Sequence, residues 1–165
     1  WPLAASSFAS ARLRVQHLPA PGGDVKEILR VRKPCVKLGI TDVDDELGPV
    51  NDPPMPEVEP INERFRKEHE AKGGNRKIGR KLWRILAAAG FRNLDLEAIL
   101  THTDALGIEA LVPPWDAEEM STMVDAGLFS TDEVDIMYAA HEKFMRAEYP
   151  YLLIATLMAY GEKPK

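Results

Sequence analysis

Three side chains in this 165-residue sequence could carry acid–base chemistry: His17, Asp42 and Asp44. His17 lies in a loop rich in Pro and Gly, and an imidazole with an ordinary pKa of about 6.5 can take a proton near neutral pH. Asp42 and Asp44 follow residues 35–41, a β-branched apolar run that predicts a strand, so both could face a ligand at its carboxyl end. The alternatives are a histidine that packs its own loop and carboxylates that cap the turn into the Pro-rich crossing that follows.

The spacing of these residues does not predict a metal site. Metal motifs place their ligands at short, regular intervals, and His17, Asp42 and Asp44 lack such a signature. The other histidines have ordinary interpretations. His69 lies in a charged helix and is predicted to be a plain surface residue, whereas His102 is predicted to be exposed and His141 to pack on an apolar helix face.

The elements that must position these groups are organised around one helix. Apolar residues from Ile78 to Ala89 recur at helical spacing, with basic residues on the opposite side. Asn75 is a plausible N-cap, and Gly90 stands where a helix end favours a residue at positive φ. The basic side is interpreted first as a solvated face and second as a phosphate-binding patch.

After Gly90 the apolar period changes from helical to alternating. Residues 94–100 predict a half-buried strand, and the apolar run over residues 151–160 predicts a strand covered on both faces. Turn residues and periodicity predict the remaining elements. Before residue 75 these are a short buried strand near Phe8, a helix from Asp24, a strand over 35–41, an extended crossing over 46–60 and a helix over 61–72. After residue 100 they are a loop over 101–114 and two helices, which begin at the capping-box pairs Asp116–Glu119 and Ser130–Glu133.

Composition excludes several classes of function. The formal net charge is −5, so nucleic-acid binding is not expected. No apolar run approaches the roughly 20 residues that span a bilayer, and the first residues lack the pattern of a signal peptide. The single cysteine, Cys35, excludes an internal disulfide and favours a cytoplasmic protein.

Four segments, in order, resemble class I S-adenosylmethionine-dependent methyltransferases. Residues 10–19 (SARLRVQHLP) are similar to the fourth strand and following loop of that family. Residues 27–34 (EILRVRKP) and 38–42 (LGITD) are similar to its E-x-x-R-V-L-K-P-G-G segment and fifth strand. Residues 89–91 (AGF) resemble the element before the sixth strand, and residues 151–163 resemble the last, antiparallel strand with its Gly-x-Lys ending. Each motif is weak alone, but their shared order covers nearly the whole chain.

The resemblance implies an α/β fold, namely a partial class I methyltransferase, a Rossmann-like three-layer sandwich with a mostly parallel sheet and an antiparallel last strand. It implies methyl transfer from S-adenosylmethionine to a small organic molecule. Ala11 and Arg12 match positions that touch the methionine part of the cofactor, and His17 is the candidate general base. The alternative for Arg12 is a solvated surface charge.

The resemblance begins only at the family's fourth strand. The family binds its cofactor with an acidic Gly-x-Gly loop and a second acid, both earlier in the chain, and the present sequence contains no Gly-x-Gly. It therefore resembles a C-terminal half that would bind S-adenosylmethionine only if another segment or chain completed the site. Local departures from the family pattern indicate a relaxed copy: Ser7 replaces an acid, Cys35-Val36 replaces Gly-Gly and Arg32 replaces an apolar residue.

The predicted organisation is a single methyltransferase-like domain over residues 1–165, without the N-terminal cofactor-binding strands, and with a helical insertion or lid over 101–150. A set of apolar side chains could line a substrate pocket beneath that lid or pack as ordinary core, namely Trp115, Met120, Met123 and Phe129. The expected partners are a small-molecule methyl acceptor and, to cover an open sheet edge, a second copy or an N-terminal half. Neither nucleic acid nor a membrane is expected.

Two other hypotheses stay open at this point. One is a non-catalytic, truncated methyltransferase-like module that acts as a scaffold or partner subunit. The other is an unrelated small α/β binding protein, which a parallel last strand would favour.

Overall fold

A computed structural model describes residues 8–112 and 117–165 of the protein, which form five strands and seven α-helices. The strands are β1 (Phe8–Arg12), β2 (Lys37–Val43), β3 (Val50–Asp52), β4 (Arg92–His102) and β5 (Tyr151–Glu162). The helices are α1 (Pro21–Val31), α2 (Glu59–Ala71), α3 (Leu82–Ala89), α4 (Thr103–Leu106), α5 (Ile108–Leu111), α6 (Ala117–Asp125) and α7 (Thr131–Met145). None of these helices is long and apolar enough to cross a bilayer.

The strands form one mixed sheet in which β5 has the most neighbours. β1 pairs with β2 in parallel, and β2 pairs with β5 in antiparallel fashion. β3 and β4 also pair with β5. Asn93 donates to Glu162 at 3.3 Å and Tyr160 donates to Asp95 at 3.0 Å, so β4 and β5 run in opposite directions. β1, β2 and β4 therefore run parallel to one another, and the predicted antiparallel last strand is confirmed.

The chain forms two compact units. The first contains residues up to 47, 69–100 and 155–165, and the second contains residues 48–68 and 101–154. The predictions of a single domain over 1–165 and of a lid over 101–150 remain predictions.

The core of the first unit lies between α1, α3 and the neighbouring strands. The apolar stripe of α3 supplies Leu82, Leu86 and Ala89, which are fully or almost fully buried. These side chains pack with Leu38 and Ile40 of β2 in one cluster. The predicted helix with one apolar stripe is thus present, and its burial joins the helix to the sheet.

Glycine ends α3 as predicted. Gly90 adopts φ +104°, the left-handed conformation that a residue with a Cβ rarely adopts. The start of α3 differs from the prediction. Asn75 accepts from the backbone of Lys77 in a separate turn, and the α-helix begins only at Leu82, after a 3-10 turn over Gly79–Lys81. The polar side chain of Asn75 favours a local turn as much as a helix cap, and this turn is the one that forms.

Several other boundaries were predicted wrongly. α1 begins at Pro21 because proline suits the first turn of a helix, and the crossing over 46–60 contains β3. The loop predicted over 101–114 forms the short helices α4 and α5 over most of its length. The strand predicted to be buried near Phe8 is exposed on alternate residues.

β4 is longer and more exposed than alternation predicted. Leu96 and Leu100, on the face predicted to be buried, are 39% and 60% exposed. Alternation specifies which residues share a face of a strand, but only tertiary packing decides whether that face is covered.

The second unit is mainly helical. Ser130 and Glu133 form the predicted capping box at the start of α7, with Glu133 N–H donating to Ser130 Oγ at 3.2 Å and Ser130 N–H donating to Glu133 at 2.8 Å. Val134, Ala140 and Phe144 are the buried residues of this helix. Three residues named in the sequence-based predictions lie outside the described ranges, namely Ser7, Trp115 and Asp116.

Core packing in the first unit predicts a matched pair of effects on stability. Leu86→Ala should lower the free energy of unfolding by about 2–5 kcal/mol, because the buried Leu86 side chain leaves a cavity that its surroundings fill only partly. Trp83→Ala on the same helix, where the side chain is 43% exposed, should cost less than half as much. Urea unfolding followed by circular dichroism checks both. Equal losses would contradict the placement of α3.

Candidate active site

The loop that follows β1 carries the residues predicted for the site. Ala11 is half-buried and Arg12 is exposed at the carboxyl end of the strand. Leu13 then adopts φ +51°, and its N–H donates to the Thr41 carbonyl of β2 at 2.9 Å. This left-handed residue turns the chain into a short 3-10 turn that ends at His17, whose side chain is exposed.

Asp42 holds this loop in place. Its carboxylate is fully buried and accepts the backbone N–H groups of Val15 at 2.8 Å and Gln16 at 3.0 Å. Its second oxygen accepts Val43 N–H at 2.9 Å. A charged acceptor of two or three N–H donors makes strong hydrogen bonds, so Asp42 fixes the backbone just before His17. Asp42 thus binds backbone amides, but the loop that it holds follows β1 and is not the turn into the stretch over 46–60 that the sequence suggested.

A second stretch of chain, residues 73–76, is bound to the same loop. Asn75 N–H donates to the Gln16 carbonyl at 2.7 Å, and the Arg76 guanidinium donates to the Gln16 side chain at 3.1 Å. Arg76 also pairs with Asp45 through two bonds, at 2.5 and 3.1 Å. Gln16, the neighbour of His17, is therefore held by both its backbone and its side chain.

Asp44 is the second buried carboxylate and belongs to an ion-pair network. Arg80 donates to both of its oxygens, at 2.5 and 2.7 Å, and also pairs with Glu46 at 2.7 Å. Burial alone would raise the pKa of Asp44, but the hydrogen bonds from Arg80 and from Glu46 N–H outweigh it, so the pKa lies below its usual 3.8. The same pairs raise the pKa of Arg80 above its ordinary value.

Glu46 joins the network from the loop side. Lys77 pairs with it at 2.5 Å, and the bonds from Lys77 and Arg80 lower the pKa of Glu46. Asp44 and Glu46 thus attach the turn after β2 to the stretch from Lys77 to Arg80, which leads into α3. The role of Asp44 is structural.

His17 has a partner that the sequence did not predict. The Nδ1 atom of His17 lies 3.0 Å from Nε2 of His69, and the two rings meet edge to face at 72° with centroids 5.0 Å apart. His69 stands at the end of α2 and is half-buried, so the prediction of a plain surface residue was wrong. Burial, followed by the positive charges of His17 and Arg76, lowers the pKa of His69 below its usual 6.5.

Glycine makes room for this histidine pair. A Cβ on Gly74 would lie 2.1 Å from Cε1 of His69, far inside van der Waals contact. Gly73 adopts φ +88° and turns the chain after α2. A Cβ on Gly73 would lie 3.1 Å from the Cβ of Pro19. The signal that could have found His69 is therefore the Gly-Gly pair that follows it, which permits close approach of the loop.

The basic side predicted for the helix that contains α3 is only partly a solvated face. Arg76, Lys77 and Arg80 pair with Asp45, Glu46 and Asp44, whereas Lys81 and Arg84 are exposed. Lys81 and Arg84 line a groove of about 680 Å³ together with Lys26 and the first turn of α1. Ile85, Ala88 and Ala89 also line this groove.

Within residues 8–112 and 117–165, no three His, Cys, Asp or Glu side chains come together as a metal site. His102 and His141 are half-buried in the second unit, so the expectation that His102 would be exposed was wrong. Cys35 is free and exposed, and its φ of +63° is the conformation for which the methyltransferase pattern has glycine.

No protein-family model matches the chain, and no curated protein resembles it significantly. Solved structures do resemble it. A candidate methyltransferase from Bacillus halodurans aligns with 100% of this chain and 74% of its own, at 17% identity and a TM-score of 0.45. The phosphoethanolamine N-methyltransferase 2 of Haemonchus contortus, with phosphomonomethylethanolamine and S-adenosylhomocysteine, aligns with 96% of this chain and 34% of its own, at 18% identity and a TM-score of 0.49.

The same Haemonchus enzyme with S-adenosyl-L-methionine aligns with 96% of this chain at 18% identity and a TM-score of 0.50. This likeness shows that the chain has the fold of part of an S-adenosylmethionine-dependent methyltransferase. The chain spans only 33% of that enzyme's length.

The first prediction from the site concerns Asp42. Asp42→Ala should lower the free energy of unfolding by about 2–5 kcal/mol, because it leaves the buried N–H groups of Val15 and Gln16 without their acceptor. Hydrogen exchange of these two amides, measured by NMR, should accelerate more than exchange within α7. Uniform acceleration across the chain would contradict a local anchoring role.

The second prediction concerns the pH dependence of stability. The pKa of Asp44 lies below 3.8 in the folded protein, so its ion pair stabilises the fold fully above about pH 4 and loses this effect as the pH falls through the folded pKa. Asp44→Asn should therefore lower stability at pH 7 and flatten the loss of stability between about pH 4 and 2. Asp125→Asn, an exposed control, should leave the wild-type profile intact in urea unfolding at each pH. An unchanged acid profile in Asp44→Asn would refute the assignment.

Proposed function

We propose that this chain is the carboxyl-terminal part of an S-adenosylmethionine-dependent methyltransferase that methylates a small organic molecule. The observation that carries the proposal is the placement of His17. Its exposed imidazole stands at the carboxyl end of β1, where ligands of α/β sheets collect, on a loop held by buried Asp42. The fold supports the reaction class, and the site supplies a base for it.

The proposed role of His17 is to accept a proton from the methyl acceptor. When bound, S-adenosylmethionine would supply a methyl group on a positively charged sulfur. An acceptor oxygen or nitrogen becomes a better nucleophile as its proton leaves, and His17 can receive that proton if the acceptor lies within hydrogen-bond reach. Asp42 and Gln16 contribute by fixing the loop, since a base out of place by an ångström loses much of its effect.

The described residues fit one end of the cofactor. Ala11 is small enough for close approach, and the exposed guanidinium of Arg12 could pair with the carboxylate of the methionine part. The glycines at 22 and 23 lie in the first turn of α1, and a Cβ at either would meet nothing within 4 Å, so neither is a site of close packing. We therefore propose that another segment or a second chain supplies the adenosine end of the site.

The same reasoning leads to a proposal about partners. β1 is paired only with β2 among the described strands, and Phe8, its first residue, is 52% exposed. A second copy of the chain, or an N-terminal half, would cover such an edge. The proposed location is the cytoplasm, which suits a free, exposed Cys35.

A non-catalytic scaffold subunit is the alternative. It would keep the fold and the ion-pair network but would have no use for an exposed imidazole held in place by a buried carboxylate. Cofactor binding distinguishes the two proposals directly.

Isothermal titration of S-adenosylmethionine, and of S-adenosylhomocysteine, into the whole chain tests the proposal. We expect micromolar binding, weakened at least tenfold by Arg12→Glu because the charge that faces the methionine carboxylate is reversed. Arg92→Glu is the matched control, since Arg92 is exposed at the opposite end of the parallel strands and should not affect affinity. Sedimentation in the same samples tells a monomer from a dimer. A folded chain that binds neither compound, alone or self-associated, would refute an enzyme formed by this chain by itself and favour the scaffold.

A further inference from the structure

β4 forms an outer edge of the sheet among the described strands. Near its start it lies beside β5, where Asn93 donates to Glu162 and Tyr160 donates to Asp95. The same stretch of β5 pairs with β2 on its other side. β4 therefore has β5 along one side, and no described strand pairs with its other side.

This edge is long and uncovered. β4 contains 11 residues, and every residue from Asp95 to Leu100 is exposed. Among them, Leu96 and Ile99 are 39% and 37% exposed, and Leu100 is 60% exposed. Residues 93–102 contain neither Pro nor Lys, two residue types with which natural edge strands prevent pairing with another chain. A long edge with exposed apolar side chains favours association by the addition of a further strand.

We propose that two copies of the chain associate through this edge, with β4 of one copy antiparallel to β4 of the other and Ala98 at the two-fold axis. The occupant of the edge is thus a second copy of the chain, and the open edge of β1 stays available to an N-terminal half. The inference goes beyond the proposed methyl transfer and does not depend on it.

The sequence of β4 is self-complementary in this register. With Ala98 opposite itself, Leu96 of each copy lies opposite Leu100 of the other. Alternation puts Leu94, Leu96, Ala98 and Leu100 on one face, so the two copies share a continuous apolar stripe. Leu94 packs against the core of the first unit, which joins this stripe to a fixed part of the fold. A two-fold contact requires a surface that matches itself, and this strand provides one.

The acidic residues of β4 do not oppose the pairing. The Tyr160 hydroxyl lies 3.0 Å from Oδ2 of Asp95 and 3.3 Å from Oε1 of Glu97, so both carboxylates lean towards β5, on the face opposite to the leucines. In the proposed register Asp95 lies opposite Thr101, and Glu97 opposite Ile99, of the other copy. No two carboxylates face each other directly.

Two neighbouring registers fit less well. A register centred on Glu97 places two carboxylates directly opposite each other, which is destabilising. A register centred on Ile99 places Leu96 opposite His102, so that the exposed leucines no longer meet. Of the three, the register centred on Ala98 both joins the leucines and separates the carboxylates.

Sedimentation equilibrium of the whole chain tests the surface. The wild-type chain should form a dimer at micromolar concentration. Leu96→Lys and Leu100→Lys should each raise the dimer dissociation constant at least tenfold, because each places an unpaired charge in the apolar stripe. Val31→Lys, at a side chain that is 53% exposed at the end of α1, is the matched control and should leave the constant unchanged. Circular dichroism shows whether each variant remains folded.

Cysteine cross-linking tests the register and does not require a charged substitution in β4. In a Cys35→Ser background, Ala98→Cys should form a disulfide-linked dimer on mild oxidation. Directly opposite residues of an antiparallel pair have Cα atoms about 4.5–5.5 Å apart, which is within the range of a disulfide. In an equimolar mixture, Leu96→Cys and Leu100→Cys chains should link to each other faster than either links to itself.

Neighbouring positions supply the controls for cross-linking. Glu97→Cys and Ile99→Cys report the two other registers, and Val31→Cys reports random collision, so all three should link much more slowly than Ala98→Cys. Faster linking at position 97 or 99 would overturn the proposed register. A wild-type chain that stays monomeric at high concentration would overturn the proposal. A dimer that both lysine variants leave intact would do the same, since its contact would lie elsewhere, for example at the edge of β1.

Discussion

The buried carboxylate of Asp42 is the constraint on which the site depends. A fully buried charge requires partners, and Asp42 finds them in the amides of Val15 and Gln16, about 26 residues earlier in the chain. These bonds connect the end of β2 to the loop after β1, so two neighbouring parallel strands share one polar junction. If the loop left this position, the buried carboxylate of Asp42 would lose two of its hydrogen-bond donors.

The rest of the site is arranged in layers around that junction. Gln16, fixed by Asp42, accepts the backbone of Asn75 and the side chain of Arg76, and the chain between α2 and α3 is thereby bound to the loop. Beyond it, Asp44 and Arg80 attach the start of α3 to the end of β2. The imidazole of His17 is exposed, and among the described residues it pairs with the half-buried ring of His69. The hydrogen bonds of Asp42 and Gln16 therefore fix the backbone beside one exposed imidazole, as the proposed proton transfer requires.

Much of the fold could be predicted from local pattern. The period of α3, the glycine after it and the apolar run of β5 are each visible within a short stretch of sequence. The antiparallel last strand was implied by the family resemblance, and the structure confirms it. β3 was missed because three residues within a Pro-rich stretch carry no period. The burial of β4 was overestimated, because an alternating apolar pattern does not indicate which elements pack against the strand.

The site was harder to predict than the fold. His17 was recognised as a candidate base, but its partner His69 lies 52 residues away in a helix whose composition indicates only solvent exposure. The pairing depends on Gly73 and Gly74, whose role is visible only when the loop that approaches them is known. Likewise, nothing local distinguishes an aspartate that faces a ligand from one that binds backbone amides. Long-range contacts decide both questions.

The most direct test of the central claim is to map where the cofactor product binds. Amide and ring signals of the ¹⁵N-labelled chain should be followed by NMR during titration with S-adenosylhomocysteine. The account predicts shifts concentrated at Ala11, Arg12 and Leu13 and at the ring of His17, with Lys37 and Arg92 at the opposite ends of the strands unchanged. Shifts confined to other surfaces, or no shifts at all in a folded chain, would contradict it.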